Sequence, residues 1–233
     1  MNGPSVKTMK LAGGLPALGV AALLTLVLAF AALAARATPG VLPPNSKPYG
    51  KSYGQWSAAW WRWALELPVE APAPPHPFID DPGFECDEGQ SGPVWFLAGV
   101  FGTVERDCTV PAGKMVFFPL ADVECADFVG EGSEADERDC ADFFADHIVT
   151  GSLFCTIDGV NVQNLSSYRV ASPQFAFTAP TPWIFGATGG SGTAVSDGYF
   201  LMHVPFSVGT HTIHFGGSAD FGSIDTTYHL TVQ

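Results

Sequence analysis

The histidines of the C-terminal segment are the residues whose types and spacing best suit a chemical function. Alternation along the strands predicted at 211–215 and 224–232 places His214 and His229 on one polar face of a sheet. His203 lies on the preceding predicted strand, and three imidazoles on one sheet surface would suit zinc or copper. Because periodicity predicts faces rather than ligands, polar histidines on a half-solvated face are the alternative. The candidate metal ligands are therefore His203, His214 and His229.

Carboxylates are concentrated in the segment 122–146, which holds ten acidic residues against one basic residue, Arg138. Oxygen ligands of this kind suit calcium, although the segment lacks the D-x-[DN]-x-[DN]-G pattern of an EF-hand. Charge runs are usually solvated. We therefore interpret 122–134 as a solvated acidic loop, with calcium binding as the alternative, and predict a short acidic helix over 135–149.

Tryptophans recur with helical spacing near the start of the domain. Trp56, Trp60, Trp63 and Leu67 are spaced i, i+4, i+7 and i+11, which predicts a helix that ends at Pro68. An aromatic stripe of this kind is expected to pack on a sheet. A carbohydrate platform and a membrane-interface anchor are the alternatives.

Two tryptophans are candidate ligand-binding residues if the chain binds carbohydrate. Trp61 belongs to the predicted helix, and Trp183 precedes the Gly/Ser/Thr-rich segment 186–198. That segment is predicted to be a long loop, and such loops often carry function.

No catalytic residue is predicted. The segment Gly89–Pro93 compares with the serine-hydrolase pattern G-x-S-x-G, but Pro93 stands where the second glycine would be. Only His76 precedes Ser91, so the order of a catalytic triad is not satisfied either. The segment is better interpreted as a tight turn that leads into a strand.

The five cysteines indicate an oxidising compartment. Local spacing favours disulfides between Cys86 and Cys108 and between Cys125 and Cys140. Cys155 is left over and lies in a strand-like run, so we predict that it is a small buried hydrophobe. A cysteine zinc site is disfavoured because the chain has no C-x-x-C pair.

Short apolar runs bounded by Gly and Pro predict an all-β fold. The runs Val94–Phe101 and Met115–Leu120, separated by a polar turn with Cys108, form its centre. Asp158-Gly159 is a strong hairpin signal, and three further strands close the chain. The predicted fold is a jelly-roll-like β-sandwich with the Trp-rich helix and the short acidic helix packed on it.

The N-terminus has the pattern of a secretory signal peptide. Lys7 and Lys10 precede an uncharged run over 11–35, and Ala35-Arg36-Ala37 supplies a cleavage site. We predict cleavage after Ala37, with an uncleaved membrane anchor as the alternative. Residues 38–54 are then a linker, and residues 55–233 form a single domain that is secreted, periplasmic or on the cell surface.

The mature chain is strongly acidic. The leader carries three of the ten basic residues and no acidic ones, which leaves seven basic against 23 acidic residues, a net charge of −16. Such a surface repels nucleic acid and anionic lipid, so a nucleic-acid function is excluded. Membrane association is expected only through an uncleaved leader.

Six motifs, taken in order, resemble those of a family of uncharacterised secreted bacterial proteins. They are WSAAWWRWAL (56–65), CDEGQSGPVWFLAG (86–99), RDCTVPAGKMVFFPL (106–120), NLSSYRVASPQFAF (164–177), DGYFLMHVPFSVGTHTIHFGG (197–217) and TYHLTV (227–232). The resemblance implies a secretory leader, an envelope or extracellular setting and a β-rich domain. No established activity or catalytic residue can be carried over from that family, and the cofactor stays unknown.

These observations favour a non-enzymatic binding or structural domain, with a small molecule, a glycan or an envelope protein as its partner. A zinc or copper protein that uses the three histidines is one alternative hypothesis. A carbohydrate-binding module that uses Trp183 and Trp61 is the other.

Overall fold

A computed structural model describes residues 40–69, 73, 75–128, 132–186 and 188–233. The signal peptide predicted for residues 1–37 lies outside these described residues. Within them, no helix has the length and apolarity needed to cross a membrane.

The described chain is mostly β-structure in two sheets, as predicted for a β-sandwich. One sheet has the order β1-β3-β8-β6, with β7 also paired to β8, and the other has the order β10-β9-β4-β5. Phe118 of the first sheet meets Phe215 of the second with ring centroids 4.7 Å apart, inside one shared core. The strands are β1 (Val94–Phe96), β2 (Gly102–Val110), β3 (Met115–Phe128), β4 (Phe154–Ile157), β5 (Val160–Asn161), β6 (Arg169–Ala171), β7 (Phe175–Ala179), β8 (Gly190–His203), β9 (Gly209–Ala219) and β10 (Gly222–Val232).

Helix α1 (Tyr53–Glu66) carries the tryptophan stripe. Ser52 and Gln55 form a capping box at its N-terminus. The helix ends before Leu67, because the residue that precedes a proline is driven out of the helical region. Trp60 is 1% exposed, and its indole N–H donates to the carbonyl oxygen of Leu97 at 2.9 Å. The helix is thereby fixed to the chain that leaves β1.

The segment before α1, predicted to be a linker, is packed against the domain. Val41 forms a β-bridge with His203, and the amide of Leu42 donates to the carbonyl oxygen of Met202 at 2.8 Å. The Tyr53 hydroxyl donates to the Leu42 carbonyl oxygen at 2.6 Å and accepts from the Met202 amide at 3.2 Å. Residues 40–52 therefore belong to the folded domain, and their Pro/Gly-rich composition had indicated otherwise.

Two segments predicted to be loops are strands that pair with each other. The first part of the predicted acidic loop, up to Phe128, continues β3, and most of the predicted loop 186–198 is the first part of β8. The small residues in β8 allow the backbone of β3 to approach closely, so they do not indicate a flexible loop. A Cβ on Gly192 would lie 2.6 Å from the carbonyl oxygen of Asp127, and one on Gly198 would lie 2.4 Å from the Cα of Asp122.

The polar turn predicted around Cys108 is also a strand, β2. Its residues alternate between exposed and buried, with Val104, Arg106, Cys108 and Val110 facing inward. The buried arginine hid this alternation, because charged residues are almost never fully buried without a partner. Conversely, only Val94–Phe96 of the predicted strand Val94–Phe101 is in regular β-structure.

The second helix, α2 (Glu134–Ala145), begins with a capping box formed by Ser133 and Asp136. A disulfide joins Cys140 of this helix to Cys125 of β3, with 6.1 Å between the Cα atoms. The other disulfide joins Cys86 to Cys108, with 5.5 Å between the Cα atoms. Both pairs are those favoured by local spacing.

The remaining cysteine and the predicted hairpin also agree with the expectations. Cys155 is free and buried in β4, and burial raises the pKa of its thiol. Asp158 and Gly159 have φ values of 50° and 75° and connect β4 to β5, as the Asp-Gly signal predicts.

The double hydrogen bond of Tyr53 gives a test of how strongly the N-terminal segment is held. We expect Tyr53→Phe to lower the free energy of unfolding by about 1–3 kcal/mol, because it leaves the buried amide of Met202 and the partly buried carbonyl group of Leu42 unpaired. The control is Tyr49→Phe, which changes a side chain that is 55% exposed and should have an effect within about 0.5 kcal/mol. Urea unfolding followed by circular dichroism measures both, and equal effects would contradict the role given to Tyr53.

Candidate binding site

His214 and His229 lie on the polar face of the second sheet, as alternation predicts, but each has its own carboxylate. His214 Nε2 is 2.7 Å from Asp225 Oδ1, and His229 Nε2 is 3.6 Å from Glu105 Oε2. The two histidines do not face each other, because His214 is opposite Thr227 in the register of β9 and β10. Each imidazole is thus part of a separate surface pair.

His203 lies in the first sheet, at the end of β8. Its Nδ1 is 2.6 Å from the carbonyl oxygen of Val204, and its ring stacks on Phe206 with centroids 3.8 Å apart. Burial lowers the pKa of this imidazole. The structure therefore does not bring the three predicted metal ligands together. In the described part of the chain, no group of three or more His, Cys, Asp or Glu side chains is placed to hold a metal ion.

Trp183, one of the two predicted ligand-binding tryptophans, packs into the first sheet. Its ring stacks on Phe177 with centroids 5.7 Å apart and meets the edge of Phe128. Its indole N–H donates to the carbonyl oxygen of Leu65 in α1 at 3.1 Å. The side chain is therefore used to join the sheet to the helix.

Trp61, the other predicted ligand-binding tryptophan, is 6% exposed and lines a cavity of about 270 Å³. The cavity, called the aromatic cavity below, lies between α1, the chain after β1, β3 and the first residues of β10. The lining residues are Trp60, Trp61, Phe78, Gly99, Val100, Phe101, Pro119, Asp122, Ile184, Phe185 and Ile224.

Three neighbouring rings form one wall of the aromatic cavity. Trp60 and Trp61 are successive residues of α1 and meet edge to face, with centroids 5.0 Å apart. Phe78 contacts both, at centroid distances of 5.8 and 5.6 Å. Such arrangements add to the stability gained from burial alone, which favours an ordered wall.

Phe78 comes from the proline-rich connector between α1 and β1, whose residues 75–82 form no helix or strand and are held by hydrogen bonds. His76 is 1% exposed, and its Nε2 lies 2.8 Å from the carbonyl oxygen of Ala64 in α1. The buried Arg106 of β2 donates to the carbonyl oxygens of Pro77 and Ile79, each at 2.8 Å. These bonds on both sides of Phe78 fix the position of its ring.

Glycine is needed opposite this wall. A Cβ on Gly99 would lie 2.6 Å from Cγ2 of Ile224, so a side chain there would push into the lining. Phe101 and Phe185 are 68% and 54% exposed, so they mark the side of the cavity that faces solvent.

Asp122 is the one ionisable residue among the described residues that line the aromatic cavity. Burial is the largest influence on this carboxyl group and raises its pKa to about 8. The Trp61 indole N–H acts in the opposite direction, and the charge of Glu124 adds to the increase in pKa. Burial also raises the pKa of Glu124, to about 7.

The carboxyl group of Asp122 is poorly satisfied. Part of the residue is accessible, but its Oδ2 is enclosed and has no hydrogen-bond partner in the described part of the structure. The indole nitrogen of Trp61 acts on this carboxyl group but lies outside hydrogen-bonding geometry with it, so it too has no partner. Two polar groups at the edge of an apolar cavity thus lack regular partners, which is costly unless a ligand or solvent supplies them.

The sequence did not single out Asp122, because it belongs to a long acidic run. A register shift in the pairing of β3 with β8, between Pro119 and Ala121, also breaks the simple alternation along this strand. Pro119 and Asp122 therefore line the same cavity although three positions separate them. The available signal was the position of Asp122 two residues after the apolar run Met115–Leu120.

The raised pKa of Asp122 predicts a pH-dependent stability. Between about pH 4 and 8 the folded protein keeps a proton that the unfolded chain has released, so this group lowers stability as the pH rises. We expect Asp122→Asn to remove this loss of stability with rising pH. Its melting temperature should rise relative to the native protein across this interval and hold a constant difference above it.

Scanning calorimetry from pH 4 to 9 measures this difference. Asp139→Asn, which changes an exposed carboxyl group on α2, controls for the change in net charge. A difference between Asp122→Asn and the native protein that does not vary with pH would contradict the burial of the charge.

Comparison with known proteins gives little further information. No family model matches the chain, and no curated protein matches it. Among solved structures, the solution structure of amebosin is similar at 12% identity, over 56% of this chain and 96% of that chain, with a TM-score of 0.19. A similarity at this level supports no conclusion about fold or function, so the functional argument depends on the site itself.

Proposed function

We propose that the chain is a non-enzymatic binding domain that acts outside the cytoplasm and holds a small, largely apolar molecule in the aromatic cavity. The observation that carries this proposal is the cavity of about 270 Å³, with its aromatic wall and its single carboxyl group. Small-molecule sites are typically concave and apolar, with few polar groups that orient the ligand. The volume is just below the range of about 300–1,000 Å³ for drug-sized ligands, so a smaller molecule is expected.

The walls of the cavity are preformed rather than flexible, which favours binding. Trp60 is fixed through Leu97, and Phe78 is held between His76 and Arg106. A site that is already ordered loses less conformational entropy when a ligand enters.

The cellular setting is part of the same proposal. Two disulfides fit an oxidising compartment. The pattern of residues 1–37 supports export with cleavage after Ala37, and the six motifs support membership of the secreted bacterial family. The jelly-roll arrangement also stays a proposal, supported by the two sheets and their shared core.

The metal-binding and carbohydrate-binding hypotheses stay predictions with less support. His203 lies in a different sheet from His214 and His229, and Trp183 is engaged in packing. Both arrangements favour the aromatic cavity as the binding site.

Filling the cavity tests the proposal. Benzyl alcohol, a soluble and mostly apolar probe, should bind the native protein in ligand-observed NMR titrations. We expect Val100→Trp, which places a large ring in the lining, to weaken this binding at least about tenfold (about 1.4 kcal/mol).

The matched control is Val208→Trp, which adds the same ring at a position that is 72% exposed and outside the cavity. This variant should bind like the native protein. Overpacking costs about 1–3 kcal/mol, so circular dichroism must show that Val100→Trp is folded, and Ile184→Trp is the substitute if it is not. An unchanged affinity in the filled variant, or no binding to the native protein, would exclude the cavity as the site.

A further inference from the structure

We propose that the aromatic cavity takes a small organic ammonium ion, whose positive charge lies between the aromatic rings and the carboxyl group of Asp122. This inference rests on the proposed function and names the class of its ligand.

The first argument is the chemistry of the lining. Five of the lining residues are aromatic, and one is a carboxylic acid. The face of an aromatic ring attracts cations, and Trp attracts them more strongly than Tyr or Phe does. Proteins recognise alkylated ammonium groups by surrounding them with such rings. The aliphatic lining residues Val100, Ile184 and Ile224 would contact the alkyl groups of such an ammonium ion. The five rings are those of Trp60, Trp61, Phe78, Phe101 and Phe185.

The second argument is the missing counterion of Asp122. The charged group that acts on this carboxyl is Glu124, a second acid, which makes ionisation harder rather than easier. None of the described residues that line the cavity is basic. An ionised carboxylate in such a place is costly unless a positive partner is present. A cationic ligand would supply that partner.

The third argument is the charge of the whole domain. Residues 38–233 have seven basic and 23 acidic residues, a net charge of −16. Three of the basic residues are already occupied, since Arg106 is buried and Arg138 and Arg169 form ion pairs. The resulting field concentrates cations at the surface and accelerates their encounter with a cavity.

An inorganic cation fits the cavity poorly. Calcium takes 6–8 oxygen ligands and zinc takes four nitrogen, sulfur or oxygen ligands, whereas Asp122 is the one carboxyl group among the described lining residues. An organic cation needs fewer polar contacts, because its hydrocarbon surface is stabilised by the apolar walls. A neutral apolar ligand remains the rival, since a protonated Asp122 could donate a hydrogen bond to it.

Choline and 3,3-dimethyl-1-butanol separate these two ligand classes. The two molecules have the same shape, and they differ in the positive charge on the central atom of the branched group. Titration calorimetry at pH 8 with the mature chain should give an affinity for choline at least about tenfold higher than for the alcohol. In Asp122→Asn the ratio of the choline affinity to the alcohol affinity should lose most of its tenfold excess, whereas Asp139→Asn should keep the native ratio.

Proton release gives a second readout that needs no variant. Near pH 7 much of Asp122 is protonated, and a cation favours the ionised form, so choline binding should release a fraction of a proton per chain. Titrations in two buffers with different ionisation enthalpies measure this fraction. Glu124, on the same strand, is the other acid that acts on this carboxyl and can contribute, so Asp122→Asn should lose most of the release.

The outcomes distinguish this inference from the proposed function. Equal affinities for choline and the alcohol would overturn the ammonium preference and leave a cavity for neutral ligands. Binding of benzyl alcohol without binding of choline would also overturn the ammonium preference and leave a cavity for neutral ligands. If none of the three molecules bound, both the inference and the proposed function would be overturned.

Discussion

The long antiparallel pairing of β3 with β8 is the constraint on which the rest of the structure depends. It runs from Val116 opposite His203 to Phe128 opposite Gly192 and forms the centre of the first sheet. Helix α1 packs across this sheet, while β9 of the other sheet meets β3 from the opposite side. The pairing shifts register between Pro119 and Ala121, which interrupts the regular ladder at this point. The same irregularity brings Asp122 to the cavity.

A buried arginine holds residues 75–82 of the proline-rich connector, which form no helix or strand. Arg106 satisfies two carbonyl oxygens of the proline-rich connector and also donates to the Tyr228 hydroxyl at 3.2 Å. Its guanidinium group lies over the ring of Phe84, 4.2 Å from the centroid. The connector cannot form a ladder of its own because proline lacks the amide donor. One side chain from β2 therefore replaces the hydrogen bonds that a regular element would have made internally.

Patterns with a single physical cause were predictable from the sequence. The tryptophan helix, the Asp-Gly hairpin, both disulfides and the alternation of β9 and β10 all follow from local spacing. The sequence predictions were wrong where local composition indicated a loop or a turn but tertiary contacts produced a strand. The segment 190–198 is rich in small residues because β3 passes close to it, and β2 was hidden by its inward-facing Arg106. The cavity could not be predicted, because its lining comes from six separate parts of the chain.

The burial of Cys155 in β4 bears on the chemistry of the two disulfides. Five thiols are available in the unfolded chain, so mispaired intermediates can form there. Once β4 pairs with β9, the Cys155 sulfur is enclosed, and burial raises the pKa of its thiol, which keeps it in the unreactive form. The odd cysteine is then removed from exchange, and the finished domain cannot cross-link to a second copy through it. Burial of this one strand therefore protects the two native disulfides from exchange with the odd thiol.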